Sequence, residues 1–168
     1  FFIQDNLSAF NGTLNLLALG ARRREARFAT SLFVDANGPK ADIYTVANGN
    51  IITGNPVFGP AGFDAAWQQL VTAVDADGEP FIQEFVHLVI PPALEEQASR
   101  MFESEFWDEY DYDGGADVIR TRRIRNRYRG RVRVHVNHYI PILASTANGA
   151  TSWFLFADPG NGRPAFEV

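Results

Sequence analysis

The chain has 168 residues, of which 46% are hydrophobic and 21% charged; this is the make-up of an ordinary folded domain and excludes a disordered tail, a collagen-like rod and a disulfide-stapled miniprotein. It has no cysteine, which removes disulfides, thiolate metal sites and cysteine nucleophiles. The net charge of −5 argues by itself against nucleic-acid binding, but it averages two opposed blocks: seven acidic residues between Glu103 and Asp117, then eight arginines between Arg120 and Arg133.

No window reaches the roughly 18 unbroken apolar residues of a membrane span. The first residues, Phe1-Phe2-Ile3-Gln4-Asp5, lack the basic flank and apolar core of a signal peptide, and a start without methionine is expected of a processed or partial product. Asn6-Leu7-Ser8 and Asn11-Gly12-Thr13 match the glycosylation triplet but read as turn chemistry at a helix entrance.

In chain order, Leu14, Leu17, Ala18, Ala21, Phe28, Ala29 and Leu32 recur at helical spacing and predict one helix over 14–34, stopped by Asn37-Gly38-Pro39. Arg22, Arg23, Arg24 and Arg27 spread around that helix, so it should meet water or partners on several sides. Residues 42–47 read as a short strand. The Gly-, Pro- and Asn-rich stretch 48–62 reads as a loop whose length is typical of functional or partner-bound loops. Phe63, Ala66, Trp67, Leu70, Val71 and Val74 predict a second helix. A strand over 81–90 leads to Pro91-Pro92, and Pro92 should open a helix through Phe102. Residues 103–117 are acidic and aromatic, with a break at Asp113-Gly114-Gly115; a long β-type segment follows over 118–136. Asn148-Gly149 reads as a turn and 152–157 as a last buried strand. Strands and helices mix without βαβ alternation, so the fold class is α+β.

Every odd position from 123 to 135 is cationic or histidine: Arg123, Arg125, Arg127, Arg129, Arg131, Arg133 and His135. In an extended chain that pattern makes one cationic and one largely apolar face, with Asn126 and Gly130 as places for a bulge or hairpin turn. Such a row repels itself and needs anions. Three sources are open: the acidic run just before it (Glu103, Glu105, Asp108, Glu109, Asp111, Asp113), the carboxylates of a neighbouring subunit, or nucleic-acid phosphates.

Motifs for catalysis or metal binding are lacking. Glu109-x-Asp111-x-Asp113-Gly114 begins like a calcium loop, but Arg120 stands where the bidentate glutamate belongs. His135-x-x-His138 would put two rings on opposite faces of a strand, and His87 reads as a core or edge histidine. No nucleophile elbow, phosphate loop, dinucleotide fingerprint or zincin motif occurs. No catalytic residue, cofactor site or metal site is therefore assigned.

Four segments in order resemble the Mu-like major head subunit group of tailed-bacteriophage major capsid proteins. Gln4-Asp5-Asn6-Leu7-Ser8-Ala9-Phe10 is similar to that group's Asn-Asp-Asp-Leu-Gly-Ala-Phe before an arginine-bearing helix. Asn48-Gly49-Asn50 is a departure from its His-Gly-Asn, with Ala47 in place of a histidine. Pro91-Pro92-Ala93-Leu94-Glu95 is similar to its Val-Pro-Pro-Ala-Leu-Glu, and Trp153-Phe154-Leu155-Phe156-Ala157-Asp158-Pro159 to its Trp-Tyr-Leu-Phe-Ala-Asp-Pro.

The resemblance implies a Hong Kong 97-like coat fold: a long spine helix, then an axial domain with a mixed sheet flanked by helices. Residues 1–59 would be a peripheral-domain portion with spine helix and connecting loop, and 60–168 the axial domain and its return toward the peripheral domain. The implied partner is the chain itself, in hexameric and pentameric capsomers of an icosahedral virion shell around double-stranded DNA. A scaffold or maturation protease, a portal and other head proteins are further implied partners; a membrane is not. A repeated contact around a ring needs complementary flanks, which an acidic segment and an arginine face can supply, so both blocks, with Arg22, Arg23, Arg24 and Arg27, are candidate inter-subunit contacts. An encapsulin-like shell and a stand-alone nucleic-acid-binding module using the arginine strand are the alternatives.

Overall fold

The computed structural model describes residues 2–52, 54–74, 78, 86–112, 118–145 and 147–157. Its first element is a single helix, α1 (Phe2–Ser31), 30 residues and about 45 Å long at 1.5 Å per residue. It runs straight through Asn11-Gly12-Thr13, where a turn and cap were expected, so neither triplet lies at a helix entrance. It also ends at Ser31, before the expected Val34. The high helix propensity of its leucines, alanines and arginines outweighs its two glycines, Gly12 and Gly20, each costing about 1 kcal/mol inside a helix.

After α1 the chain makes a small antiparallel pair, β1 (Val34–Asp35) and β2 (Gly38–Pro39). Gly38 sits at φ 114°, and a Cβ there would lie 2.9 Å from Ser152 Oγ and 3.0 Å from Asn148 Cβ, so both its conformation and its neighbours require glycine. Residues 42–47, expected as a strand, form turns instead. Side chains take the backbone groups a ladder would have used: Asn48 Nδ2 and Asn50 Nδ2 donate to the Ile43 carbonyl at 3.0 and 2.9 Å, and Asn50 Oδ1 accepts from Thr45 N at 3.0 Å.

The loop after it is shorter than expected, because α2 (Pro60–Val71) starts at its own proline and leaves Val74 beyond its end. That loop is tied to the body: Phe58 is buried, Gln97 Nε2 donates to its carbonyl at 2.8 Å, and Trp153 Nε1 donates to the Pro56 carbonyl at 3.3 Å.

β3 (Val86–Ile90) is the centre of a three-stranded sheet, parallel to β6 (Arg133–Val136) and antiparallel to β7 (Phe154–Ala157). The parallel pairing demands a crossover, supplied by a 3-10 turn from Pro92 to Leu94, α3 (Glu95–Phe102) and a two-stranded ribbon of β4 (Phe106–Tyr112) and β5 (Val118–Arg125). The proline-opened helix was thus legible in the sequence, with a 3-10 first turn. Between β6 and β7 lies a short helix, α4 (Ile140–Leu143), which apolar spacing did not reveal. The expected turn at Asn148-Gly149 is a 3-10 turn over 147–150.

The sheet has a core on each face, as period-two alternation along β3 allows. Leu88 and Ile90 join Phe58, Phe63, Ala98, Met101, Phe102 and Tyr128 on one side. On the other, Val89 and Phe156 pack against a smaller cluster of Val34, Ile140, Ala144 and Phe154, where Phe33 meets Phe154 edge-on at 5.0 Å. Mixed α+β architecture follows. Among the described residues no helix is long and apolar enough to cross a membrane.

Candidate interaction surfaces

The predicted strand over 118–136 is broken: β5 stops at Arg125, a turn occupies 126–132, and β6 resumes in a different sheet. Buried Asn126 makes the break. Its Nδ2 donates to the Met101 carbonyl at 2.8 Å and the Ser104 carbonyl at 2.9 Å, and its Oδ1 accepts from Tyr128 N at 2.9 Å. Gly130, at φ 73°, completes the turn. The in–out pattern survives the break. Every odd position from 123 to 135 is exposed, and every even one except Gly130 is buried or half-buried.

The middle of the acidic block and the first arginines lie on partner strands, β4 and β5. The antiparallel backbone register sets Asp108 opposite Arg123, Glu109 opposite Arg122 and Asp111 opposite Arg120, and cross-strand pairing puts Asp108 and Arg123 on one face of the ribbon. Phe106 stands opposite Arg125, and the Arg123 guanidinium lies over its ring at 4.8 Å. Glu103, at the end of α3, is exposed and accepts from Ser99 Oγ at 2.5 Å; Glu105 is exposed beside the root of the ribbon. Asp113 lies outside the described residues.

Beyond the ribbon the arginines divide. Arg127 Nη2 donates to Asp64 on α2 at 2.5 Å, and the Tyr128 hydroxyl donates to the same carboxylate at 3.0 Å. Burial raises the Tyr128 hydroxyl above the ordinary phenol range; the Arg127 guanidinium opposes that rise, and Asp64 adds to it. Arg131 lies over Trp67 of α2 at 5.3 Å. Two arginines of the row therefore clasp α2, while Arg125 lies exposed at the end of β5, Arg129 in the turn and Arg133 on β6. Asp64 and Trp67 carried no signal in the sequence, since a carboxylate and a ring on an amphipathic helix are its ordinary furniture.

The second surface is α1. Every residue from Gly12 to Ala29 is exposed, including Arg22, Arg23, Arg24 and Arg27, and so are Leu14 (49%), Leu16 (70%), Leu17 (65%) and Phe28 (66%). Among its described side chains, the helix is tied to the body at its C-terminal end, through Thr30 and the following Phe33 and Val34. The histidines also differ from expectation. His138 sits in the turn after β6, off the strand, while His87 bonds across to His135. Among the described residues no group of three or more His, Asp or Glu side chains is placed to hold a metal ion.

A long helix with apolar and basic side chains uncovered, together with a charged ribbon elsewhere on the chain, defines a structural protein whose surfaces are made for other subunits. The sequence signature of the family described as "Phage capsid protein" matches residues 1–168, and the chain belongs to that family. It is a shell-forming coat protein of the virion capsid, non-enzymatic, which acts by assembling with itself. No curated protein and no solved structure gives a significant match.

Proposed function

We propose that this coat protein is of the Hong Kong 97 type, in the Mu-like major head subunit group, with α1 as spine helix. Residues 1–59 form the peripheral portion and 60–168 the axial domain. Subunits join in hexameric and pentameric capsomers of an icosahedral shell around double-stranded DNA. The ordered resemblances at 4–10, 91–95 and 153–159 support this reading.

One observation carries it furthest: α1 keeps Leu14, Leu16, Leu17 and Phe28 in solvent along a helix of 30 residues. An isolated helix leaves about 25 cal/mol of hydrophobic stabilisation unused per Å² of apolar area, and a neighbouring subunit is the natural cover. Arg22, Arg23, Arg24 and Arg27 give that contact a charge preference. The exposed arginines Arg125 and Arg129 serve the capsomer flank, each pair contributing no more than about 1 kcal/mol, so they set orientation rather than strength.

Electron microscopy of the protein, expressed with any scaffold or protease it needs, should show closed shells or capsomers. Reversing Arg125 and Arg129 to glutamate should deplete particles while leaving the circular dichroism of the subunit unchanged. Particles that form at wild-type yield overturn the role given to these arginines; a chain that stays monomeric under all assembly conditions overturns the proposal. Nuclease-protected DNA inside purified particles separates this reading from an encapsulin-like shell.

A further inference from the structure

His87 and His135 are 48 residues apart in sequence, yet His87 Nδ1 and His135 Nε2 are 2.8 Å apart. They come from neighbouring parallel strands, where His87 is opposite Arg133 and His135 opposite Val89. Strand alternation places all four side chains on one face, with His135 exposed and His87 half-exposed. The backbone beneath is held by the β3–β6 ladder, and Leu88 and Ile90 anchor β3 from the other face.

Two imidazoles in this arrangement share one proton. One ring donates while the other offers a lone pair, and both nitrogens converge on the same small volume. A metal ion can replace that proton. With metal–nitrogen bonds of about 2.05 Å and a tetrahedral angle, two ligating nitrogens sit about 3.3 Å apart and their ring centres about 5.2 Å apart. The ring centroids here are already 5.1 Å apart, with planes inclined by 33°. A small turn of each ring opens the nitrogen spacing without moving the strands.

The geometry points to a divalent transition-metal site, with His87 Nδ1 and His135 Nε2 as the protein ligands and zinc or copper(II) as the fitting class. Calcium and magnesium are excluded by their demand for oxygen ligands. No third His, Asp or Glu among the described residues joins the pair, so water or a small anion completes the coordination. Arg133, opposite His87, opposes a bare cation and favours an anionic co-ligand. Bound there, the ion ties edge strand β6 to central strand β3.

The test is calorimetric titration of the whole chain with zinc chloride and with copper(II) chloride at about pH 7.5. One ion of either metal should bind per chain, and His87→Ala and His135→Ala should each weaken binding about tenfold or more, or 1.4 kcal/mol and upward. His138→Ala should leave it unchanged. The metal should also raise the melting temperature of the native chain and not that of either variant, since only binding to the folded state stabilises it. His87→Gln and His135→Gln, checked by circular dichroism, repeat the loss without a cavity. Failure of both metals to bind at about 1 mM overturns the site. So does binding indifferent to both ligand substitutions, or abolished by His138→Ala.

Discussion

Asn137 Nδ2 donates to Thr30 Oγ1 at 2.9 Å, and this bond joins the end of the long helix to the edge of the main sheet. Thr30 in turn donates to the Ala26 carbonyl at 2.8 Å, Asn137 N donates to the Ile90 carbonyl at 2.8 Å, and Asn137 Oδ1 accepts from Tyr139 N at 2.8 Å. Helix, central strand and the α4 turn thus meet at one residue, the strand through its backbone N–H and the other two through its side-chain amide. Asn137→Ala leaves two partners unsatisfied and should lower unfolding free energy by about 1–3 kcal/mol in urea titration. Amide exchange over 26–33 should quicken more than over β7.

Asn126 holds the root of the ribbon in a comparable way, with its amide shared between the Met101 and Ser104 carbonyls. Because the side chain is buried, Asn126→Ala leaves those carbonyls without their donor inside the protein. The expected cost is about 2–3 kcal/mol, read from the urea midpoint. Asn126→Asp should cost more, since its carboxylate would face both carbonyl oxygens.

Tyr44, packed on Phe154 at 5.6 Å, has its hydroxyl pushed up to about 12 by burial. Below pH 10 the phenol is neutral in both folded and unfolded chains and stability is full. Between about pH 10 and 12 the unfolded chain ionises first, so stability falls as pH rises; above 12 the loss levels off. The full loss is about 2–3 kcal/mol for a shift of this size. Tyr44→Phe keeps the ring and should flatten part of the decline in alkaline denaturation curves; the raised Tyr128 hydroxyl supplies another part.

The exposed side of α1 predicts a split between stability and assembly. Leu17→Ser and Phe28→Ser should shift the unfolding free energy of the unassembled subunit by no more than about 0.5 kcal/mol, because both side chains already face water. Particle yield by sedimentation should fall in both.

The Arg127–Asp64 pair is half open to solvent, with side chains 66% and 44% exposed. A double-mutant cycle with Arg127→Met and Asp64→Asn should return a coupling below about 1 kcal/mol. A value well above that would mean the α2 clasp is held more tightly than a surface pair allows.

Local pattern indicated α1 from residue 14 onward, α2, and the outward-facing row of odd positions from 123 to 135, and Pro92 marked the start of α3, because each depends only on residues within its own segment. Local pattern had less hold on boundaries. Nothing local to 42–47 tells a strand from turns that Asn48 and Asn50 bind through their amides. Asn126 and Gly130 already marked places for a break, but only the tertiary structure decided that the arginine row would be shared between two different sheets and partly clasped to Asp64 and Trp67 of α2. The same holds for the acidic block's place on the partner strand and for the meeting of His87 with His135. A net charge of −5 says how many charges there are; register and crossover, which close contacts between distant segments, decide which of them meet.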